Sequence, residues 1–402
     1  MSALVEGQAI ENSTRIVLLV LDGLGDLPHP QHAWQTPLEA AVTPHLDHIC
    51  PASALGRILP VAFGITPGSG PGHLALFGFD PVTTDVGRGV LEALGAGVAL
   101  EHGDVAARAN FCTVDEQGVV VDRRAGRIPS EVCARLVDRL KADAAHIEGV
   151  SVELKAGRGH RFVAVLRGPG LDGAVTDADP HHEGAPIPSV RALAPAAEKT
   201  ARIVNAFVRR AHALLANDHP ANAVLVRGVS SRPRLATFRE RFKLRAAALA
   251  PYPMYRGVAQ LAGMEVVPVG DAPADAFAAA RDRWNDFDFF FIHVKGTDMA
   301  GEDGDFPAKV AAIQAVDAAL PALLALEPDV LCVTGDHSTP VLVKGHSWHP
   351  VPALVWSRVC GADQASHFHE RTARAGSLGL MPSRDLMAVL LANAGRLDKF
   401  GA

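Results

Sequence analysis

Thr66-Pro67-Gly68-Ser69-Gly70-Pro71-Gly72-His73-Leu74-Ala75-Leu76-Phe77-Gly78-Phe79-Asp80-Pro81 is the stretch on which the reading of this chain turns. Four glycines and three prolines surround one serine and one histidine, too dense a punctuation for regular helix or strand in its first half. From His73 to Phe77 a helix can begin, with Pro71 near its first turn, where a missing N–H does no harm. Ser69 then stands at the mouth of a helix N-terminus. Free N–H groups and the positive end of the helix dipole gather there and suit a phosphate. Alone, the residue reads as a capping serine in a tight loop. It is not the strand–elbow–helix serine of Gly-x-Ser-x-Gly hydrolases, because Pro67 takes the first glycine's place. Its meaning depends on what the rest of the chain brings to it.

The 402 residues are enough for two domains with real cores. A hydrophobic content of 48% with 20% charged residues describes an ordinary soluble protein. The net charge of -6 argues against nucleic acid or an anionic membrane as partner, so arginine clusters would be local and aimed at a small anion. Cys50, Cys112, Cys133, Cys332 and Cys360 are odd in number, widely spaced and without a CxxC pair, which fits a reducing cytoplasm. The N-terminal apolar run Ile16 to Leu21 is only strand-length, so neither a signal peptide nor a membrane span is expected. A small-molecule partner follows, with the oligomeric state open.

Arg15 to Leu21 reads as a central strand buried on both faces, ending in Asp22-Gly23-Leu24-Gly25-Asp26. Open α/β sheets place ligands just past such strand ends. Thr36-Pro37 and Thr43-Pro44 open short helices. From about Val82 to Asn217 the texture changes to an α+β insertion, placed at 84–218 between catalytic segments 1–83 and 219–402. Within it Ser130 is the expected cap of a helix carrying Val132, Leu136, Val137 and Leu140. Thr176 to Gly184 is a polar loop, and a long helix spans about Pro195 to Asn217. The clustered Arg123, Arg124 and Arg127 beside Gly126 stand out as site candidates. A hinge is expected near 82–84 and 218–221.

After the insertion, Phe287 to Val294 is a buried strand running into Lys295-Gly296-Thr297-Asp298 and on to Glu302. A helix with Val310, Ile313, Val316, Leu320 and Leu323 follows, with Pro321 expected to kink it. Val330 to Thr334 is a third buried strand, ending in Gly335-Asp336-His337-Ser338, with His346 a few residues on and a last strand from Ala353 to Trp356. The alternation makes an α/β fold with a mostly parallel sheet flanked by helices. Strand ends of such a sheet converge on one edge, which would collect Asp22, Asp298, Glu302, Asp336, His337 and His346. Mixed carboxylate and imidazole ligands suit Mn²⁺ or Zn²⁺ better than Ca²⁺. Two divalent ions ~3.5–4 Å apart can clamp an in-line phosphoryl displacement. Ser69 would be the hydroxyl pointed at them, activated as a nucleophile.

These residues carry a family resemblance over essentially the whole chain. It rests on Val20-Leu21-Asp22-Gly23, Pro67 to Leu74, Val121 to Ile128, Lys295-Gly296-Thr297-Asp298, Thr334 to Ser338 and His346 to Pro352. The chain resembles the cofactor-independent (2,3-bisphosphoglycerate-independent) phosphoglycerate mutases of the archaeal type, within the alkaline phosphatase superfamily. The resemblance implies an alkaline-phosphatase-like fold and interconversion of 3-phosphoglycerate and 2-phosphoglycerate through a phosphoserine at Ser69. It implies no 2,3-bisphosphoglycerate and two divalent ions, Mn²⁺ first, with Mg²⁺, Co²⁺ or Zn²⁺ as alternatives. One ion would sit on Asp298, the Glu302 position and His346; the other on Asp22, Ser69, Asp336 and His337. Where the family usually has His, this chain has Glu302, a harder ligand that favours Mn²⁺ or Mg²⁺ over Zn²⁺. Alternatively Asp303 or Asp305 supplies the ligand, or that site is weakened.

A mutase must also hold glycerate by its carboxylate, a task for arginine forks. Arg123, Arg124 and Arg127 are the candidates, with Arg227 and Arg245 added by looser resemblance. Arg245 falls near where another branch of the family uses a catalytic lysine. His181, after Asp179-Pro180, is a candidate acid or base for the substrate hydroxyls; His349 is expected outside the site. The alternatives are a metal-dependent phosphatase or other phosphotransferase of the same superfamily, a homoserine kinase (disfavoured by the absence of a nucleotide cradle), and a pseudoenzyme that keeps the fold without turnover.

Overall fold

The computed structural model of the chain describes residues 3–84 and 86–401. It forms two compact units, Met1–Thr84 with Leu235–Ala402, and Asp85–Arg234. Strands β1 (Ile16–Leu21) and β2 (Ser53–Leu59) precede the insertion. Within it run β3 (Val105–Val114), β4 (Val120–Asp122), β5 (His146–Ile147), β6 (Val150–Ala156), β7 (Arg161–Arg167) and β8 (Ala223–Ser231). After it come β9 (Ala246–Leu249), β10 (Glu265–Val266), β11 (Phe289–Val294), β12 (Val330–Thr334), β13 (Val351–Ser357) and β14 (Gly379–Pro382).

In the first unit the strands line up as β10-β9-β11-β1-β12-β13-β2-β14. β1, β11 and β12 are buried at every residue, as their mostly apolar sequences require, with His293 of β11 and Thr334 of β12 the buried polar residues among them. Each such side chain taken from water stabilises by about 1.5–3 kcal/mol. β1 pairs in parallel with β11 on one side and β12 on the other. The expected mostly parallel sheet is therefore observed, with one reversal: β13 is antiparallel to both β12 and β2. The cause is its connection. The segment 335–350 contains no crossover helix, so the chain turns back beside the strand it has just left.

Short helices follow Thr36 and Thr43, at Pro37–Ala40 and Pro44–Ile49. Thr36 makes a capping box with Glu39, while Asp317 accepts the free N–H groups of His45 and Leu46 at 3.2 and 2.7 Å. The helix Phe306–Leu324 runs through Pro321 and ends three residues later. Among the described residues it is the one helix long and apolar enough to cross a membrane. Its Lys309 and Asp317 are buried and bonded within the unit.

In the second unit β4-β3-β7-β6-β5 form an antiparallel sheet, and β8 pairs with β3. The helices Ser130–Ala144 and Glu198–Leu215 contribute Leu136, Val137, Leu140, Ile203, Val204 and Phe207 to one core with Phe111 and Phe162. Two expectations are corrected. Ser130 is inside its helix and accepts from Gly159 N at 2.9 Å instead of capping. The insertion runs to Arg234 and not 218, because β8 zips onto β3 from Val105 to Cys112. The segment 218–222 is thus a turn inside that unit, and the second crossing lies at Arg234–Leu235.

Candidate active site

Because β1, β11 and β12 are parallel neighbours, Leu21 lies level with Val294, and Val20 with Thr334. The loops after them therefore open at one edge of the sheet. Asp22, Asp298, Asp336 and His337 are all buried there. His337 Nε2 lies 3.3 Å from Asp22 Oδ1, 3.2 Å from Asp336 Oδ2 and 3.3 Å from Ser69 Oγ. His346 stacks on His337 with ring centres 3.7 Å apart, and its Nε2 is 3.5 Å from Asp298 Oδ1.

Ser69 begins the helix Ser69–Leu76, behind Gly68. His73, one turn on, donates from Nδ1 to Ser69 O at 2.8 Å, and that nitrogen lies 3.1 Å from Asp336 Oδ2. The helix comes this close only because residue 72 is glycine: a Cβ there would lie 2.6 Å from the Asp336 carbonyl oxygen. Gly72→Ala is expected to destabilise by about 1–3 kcal/mol as both backbones shift. It should also cut activity about 10²-fold by moving Ser69 away from Asp336. A melt and a turnover assay check this; parent-like activity would show that the approach has no bearing on the reaction.

Among the described residues two clusters can hold a cation, Asp22, Asp336 and His337, or Asp298, His337 and His346, each with ligand atoms within 4.8 Å of one another. The donor set fits. Asp22 Oδ1 and Asp336 Oδ2 are buried without a hydrogen-bond partner, which is costly unless a cation faces them. Both imidazoles are turned to present Nε2. His346 Nδ1 donates to Pro67 O at 3.0 Å, and His337 Nδ1 to Thr339 Oγ1 at 3.0 Å, which in turn donates to Asp298 Oδ1 at 2.6 Å. Burial alone would lower the His337 pKa, yet Asp336, Asp22 and Asp298 raise it to about 9, so the spot draws positive charge. Asp22 is held well below the carboxylate range: burial pushes it up, but His293, His337 and Lys295 outweigh that.

Glu302, expected as a ligand, stands at the rim. It is 53% exposed, with Oε1 3.8 Å from His346 Nε2. Asp305 is occupied as the cap of the next helix, accepting from Ala308 N at 2.9 Å, and Asp303 is exposed. His349 binds Ser347 Oγ through Nδ1 at 3.0 Å and belongs to neither cluster. Arg245 is a correction. It precedes β9, at the sheet edge opposite the loops, is 51% exposed and grips Asp288 at 2.9 Å. The cation beside the carboxylates is Lys295, whose Nζ meets Asp22 Oδ2 at 2.8 Å, Asp298 Oδ2 at 2.5 Å and Tyr255 Oη at 2.9 Å. Tyr255 in turn donates to Asp22 Oδ2 and stacks on His293. Sequence reading passes over these residues. Lys295 is signalled by its place at a strand end, and His293 by being the polar residue of an apolar strand; Tyr255 carries no such signal.

Lys309 fixes the loops from below. Fully buried, it donates to Gly23 O, Thr339 O and Asp26 Oδ2 at 2.8, 2.9 and 2.8 Å, joining the segments that carry Asp22 and His337. Next to it Glu370 accepts from Thr36 Oγ1 at 2.6 Å and Asp26 N at 3.2 Å. Burial, helped by the Asp26 charge, pushes its carboxyl from 4.5 up to about 7 despite the bond from Thr36. A raised folded-state pKa stabilises below the unfolded value and loses that stability as pH rises through the folded one. Glu370→Gln, the shape of the protonated acid, should thus match the parent near pH 4 and exceed it by about 1–2 kcal/mol at pH 8. Urea midpoints across that range test this; parallel curves would refute it.

In the second unit Asp179 is the hub. Arg123 grips it with Nη2 at 2.7 and 2.9 Å, Arg227 Nη1 lies 3.8 Å away, and the His181 backbone N–H donates to it at 2.8 Å. His181 Nε2 is 3.3 Å from Asp177 Oδ2. Arg124 and Arg127 are exposed, flanking a turn in which Ala125, Gly126 and Arg127 all take positive φ (48°, 63° and 56°). Asp122 holds that turn by accepting from Arg124 N and Gly126 N at 2.7 and 2.6 Å.

Residues 51–222 match the family model described as 2,3-bisphosphoglycerate-independent phosphoglycerate mutase. A Thermotoga neapolitana protein named "Probable 2,3-bisphosphoglycerate-independent phosphoglycerate mutase" is 51% identical over 97% of this chain and 96% of its own length. A Thermus thermophilus protein of the same name is 50% identical over 98% of each. Among solved structures, a Pyrococcus horikoshii protein superposes with a TM-score of 0.83 at 30% identity, covering 97% of this chain and 99% of its own. The cofactor-independent phosphoglycerate mutase of Thermoplasma acidophilum does so with 0.75 at 32%, covering 95% and 100%. With half its residues shared along nearly the full length of such relatives, the chain belongs to the 2,3-bisphosphoglycerate-independent phosphoglycerate mutase family.

Proposed function

We propose that the chain interconverts 3-phosphoglycerate and 2-phosphoglycerate through a phosphoserine at Ser69. The observation that carries the reading is the placement of Ser69 Oγ, 3.3 Å from His337 Nε2 at the start of a helix, beside two carboxylate oxygens without hydrogen-bond partners. Ser69 Oγ would attack the phosphorus as the bond from phosphorus to the 3-oxygen breaks, leaving glycerate with a new 3-hydroxyl. The glycerate 2-hydroxyl would then attack the phosphoserine, and Ser69 Oγ would leave. Free N–H groups at the helix start favour the phosphoryl oxygens.

Asp22, Asp336, His337 and Ser69 would hold one divalent cation, and Asp298, Glu302 and His346 the other. Such cations, Mn²⁺ first given the oxygen-rich set, supply Lewis-acid charge that acidifies the serine hydroxyl and offsets the phosphoryl charge. Arg123, Arg124, Arg127 and Arg227 of the insertion are the proposed carboxylate-binding groups. Arg123 and Arg227 are poised on Asp179, and Arg124 and Arg127 are exposed. His181 is the proposed acid or base for the substrate hydroxyls. A glycolytic role in the cytoplasm follows from that reaction.

The test is phosphorus NMR of 3-phosphoglycerate with purified protein and Mn²⁺, without 2,3-bisphosphoglycerate. The expected result is 2-phosphoglycerate with little free phosphate. Accumulation of inorganic phosphate would overturn the mutase reading and leave a phosphatase using the same serine.

A further inference from the structure

We infer that Lys295 is a positioning residue that holds one oxygen of each of two cation-binding carboxylates, and so keeps two separate cation sites where there would otherwise be one. The inference rests on the two-cation reading above.

Lys295 follows β11 and stands three residues before Asp298, one helical turn away, which brings its ammonium over that carboxylate. An ammonium has three donors. Here all three are used, on Asp298 Oδ2 at 2.5 Å, Asp22 Oδ2 at 2.8 Å and Tyr255 Oη at 2.9 Å. The tyrosine gives its own proton to Asp22 Oδ2, so it can accept from the lysine. No donor of Lys295 is left for a phosphate, which sets it apart from an anion-binding lysine.

The consequence lies on the other oxygens. With Oδ2 of Asp22 held, Oδ1 alone faces His337 Nε2, at 3.3 Å and without a hydrogen bond. With Oδ2 of Asp298 held, Oδ1 alone faces His346 Nε2, at 3.5 Å. A carboxylate with both oxygens free can chelate one cation through both, or swing to share a neighbour's. The lysine removes that freedom from both carboxylates at once. Its charge also offsets part of their pull on the first cation to arrive.

Removing the lysine should therefore change the two binding steps in opposite directions. The experiment titrates the full chain with Mn²⁺ alone, by calorimetry and by electron paramagnetic resonance. The parent should take two ions that couple magnetically. Lys295→Met is expected to bind the first ion about tenfold more tightly and the second at least about tenfold more weakly, with an isolated-ion spectrum at one equivalent. Tyr255→Phe keeps the ammonium but frees one of its donors, and should move both steps the same ways by about two- to fivefold.

Two coupled ions at parental affinities in Lys295→Met would overturn the inference, as would equal weakening of both steps, the mark of general damage. Should Lys295→Met not fold by circular dichroism, unchanged steps in Tyr255→Phe overturn it alone. A parent that binds fewer than two ions overturns the two-cation reading itself, a result seen before any variant is made.

Discussion

Alanine in place of Ser69 is expected to remove mutase turnover by at least about 10⁴-fold, because no other hydroxyl nucleophile takes its place in the step. The fold should be unharmed. Ser69 makes no side-chain capping bond, and its helix starts from the extended Gly68. The hydroxyl contacts are to Tyr255 and to His337 Nε2 at 3.3 Å, a tyrosine that keeps its bond to Asp22 and a ring that keeps its bond to Thr339. Melting should shift by less than about 1 kcal/mol, since a nearly buried serine loses only one oxygen. Phosphorus NMR and a thermal melt on the same sample separate the outcomes. Turnover within tenfold of the parent, with a normal melt, would place the nucleophile elsewhere and sink the phosphoserine reading.

His337→Ala should be as damaging for a different reason. The ring belongs to both candidate clusters, and its Nε2 lies between Asp22 and Asp336. Without it three buried carboxylates face each other with less positive charge among them. Breaking such a buried arrangement costs about 3–5 kcal/mol. Loss of the cation held with Asp22 and Asp336, and a fall in turnover of at least about 10³-fold, are expected, since that cation is the one beside Ser69. Elemental analysis after dialysis against Mn²⁺, with a urea melt, tests this. Two equivalents of metal retained by the variant would show that His337 is not a cation ligand.

Much of this is legible because strand-and-loop patterns are local. An unbroken apolar run predicts a buried strand, and parallel strands place their exits together. That reasoning suffices to bring Asp22, Asp298, Asp336 and His337 to one edge, with Ser69 at its helix start. It does not reach what depends on neighbours far along the chain. Tyr255 lies in an unremarkable stretch, and only the fold carries it to Asp22. Arg245 is suggested by a loose resemblance to the position of a catalytic lysine; β9 is short and parallel, so the residue before it faces the wrong end of the sheet. A boundary at 218 falls where turn residues cluster, but β8 beyond it belongs to β3 through pairing that no local signal reveals. Ser130 has the chemistry of a cap, yet Pro129 before it already holds the extended conformation of one.

The central place of β1 governs the order in which this protein can assemble. Made before either of them, the strand finds its two partners only when residues 289–294 and 330–334 have been synthesised. Until then an unbroken apolar ribbon waits without sheet neighbours. The insertion, by contrast, pairs only within its own span and can close while the ribosome is still translating. The longest-range pairings, such as Val351 with Ile58, belong to the unit that carries the carboxylates, which makes their assembly the late and slow event of folding. A nascent chain is most exposed to aggregation in that interval, after the small unit has closed and before β12 has emerged.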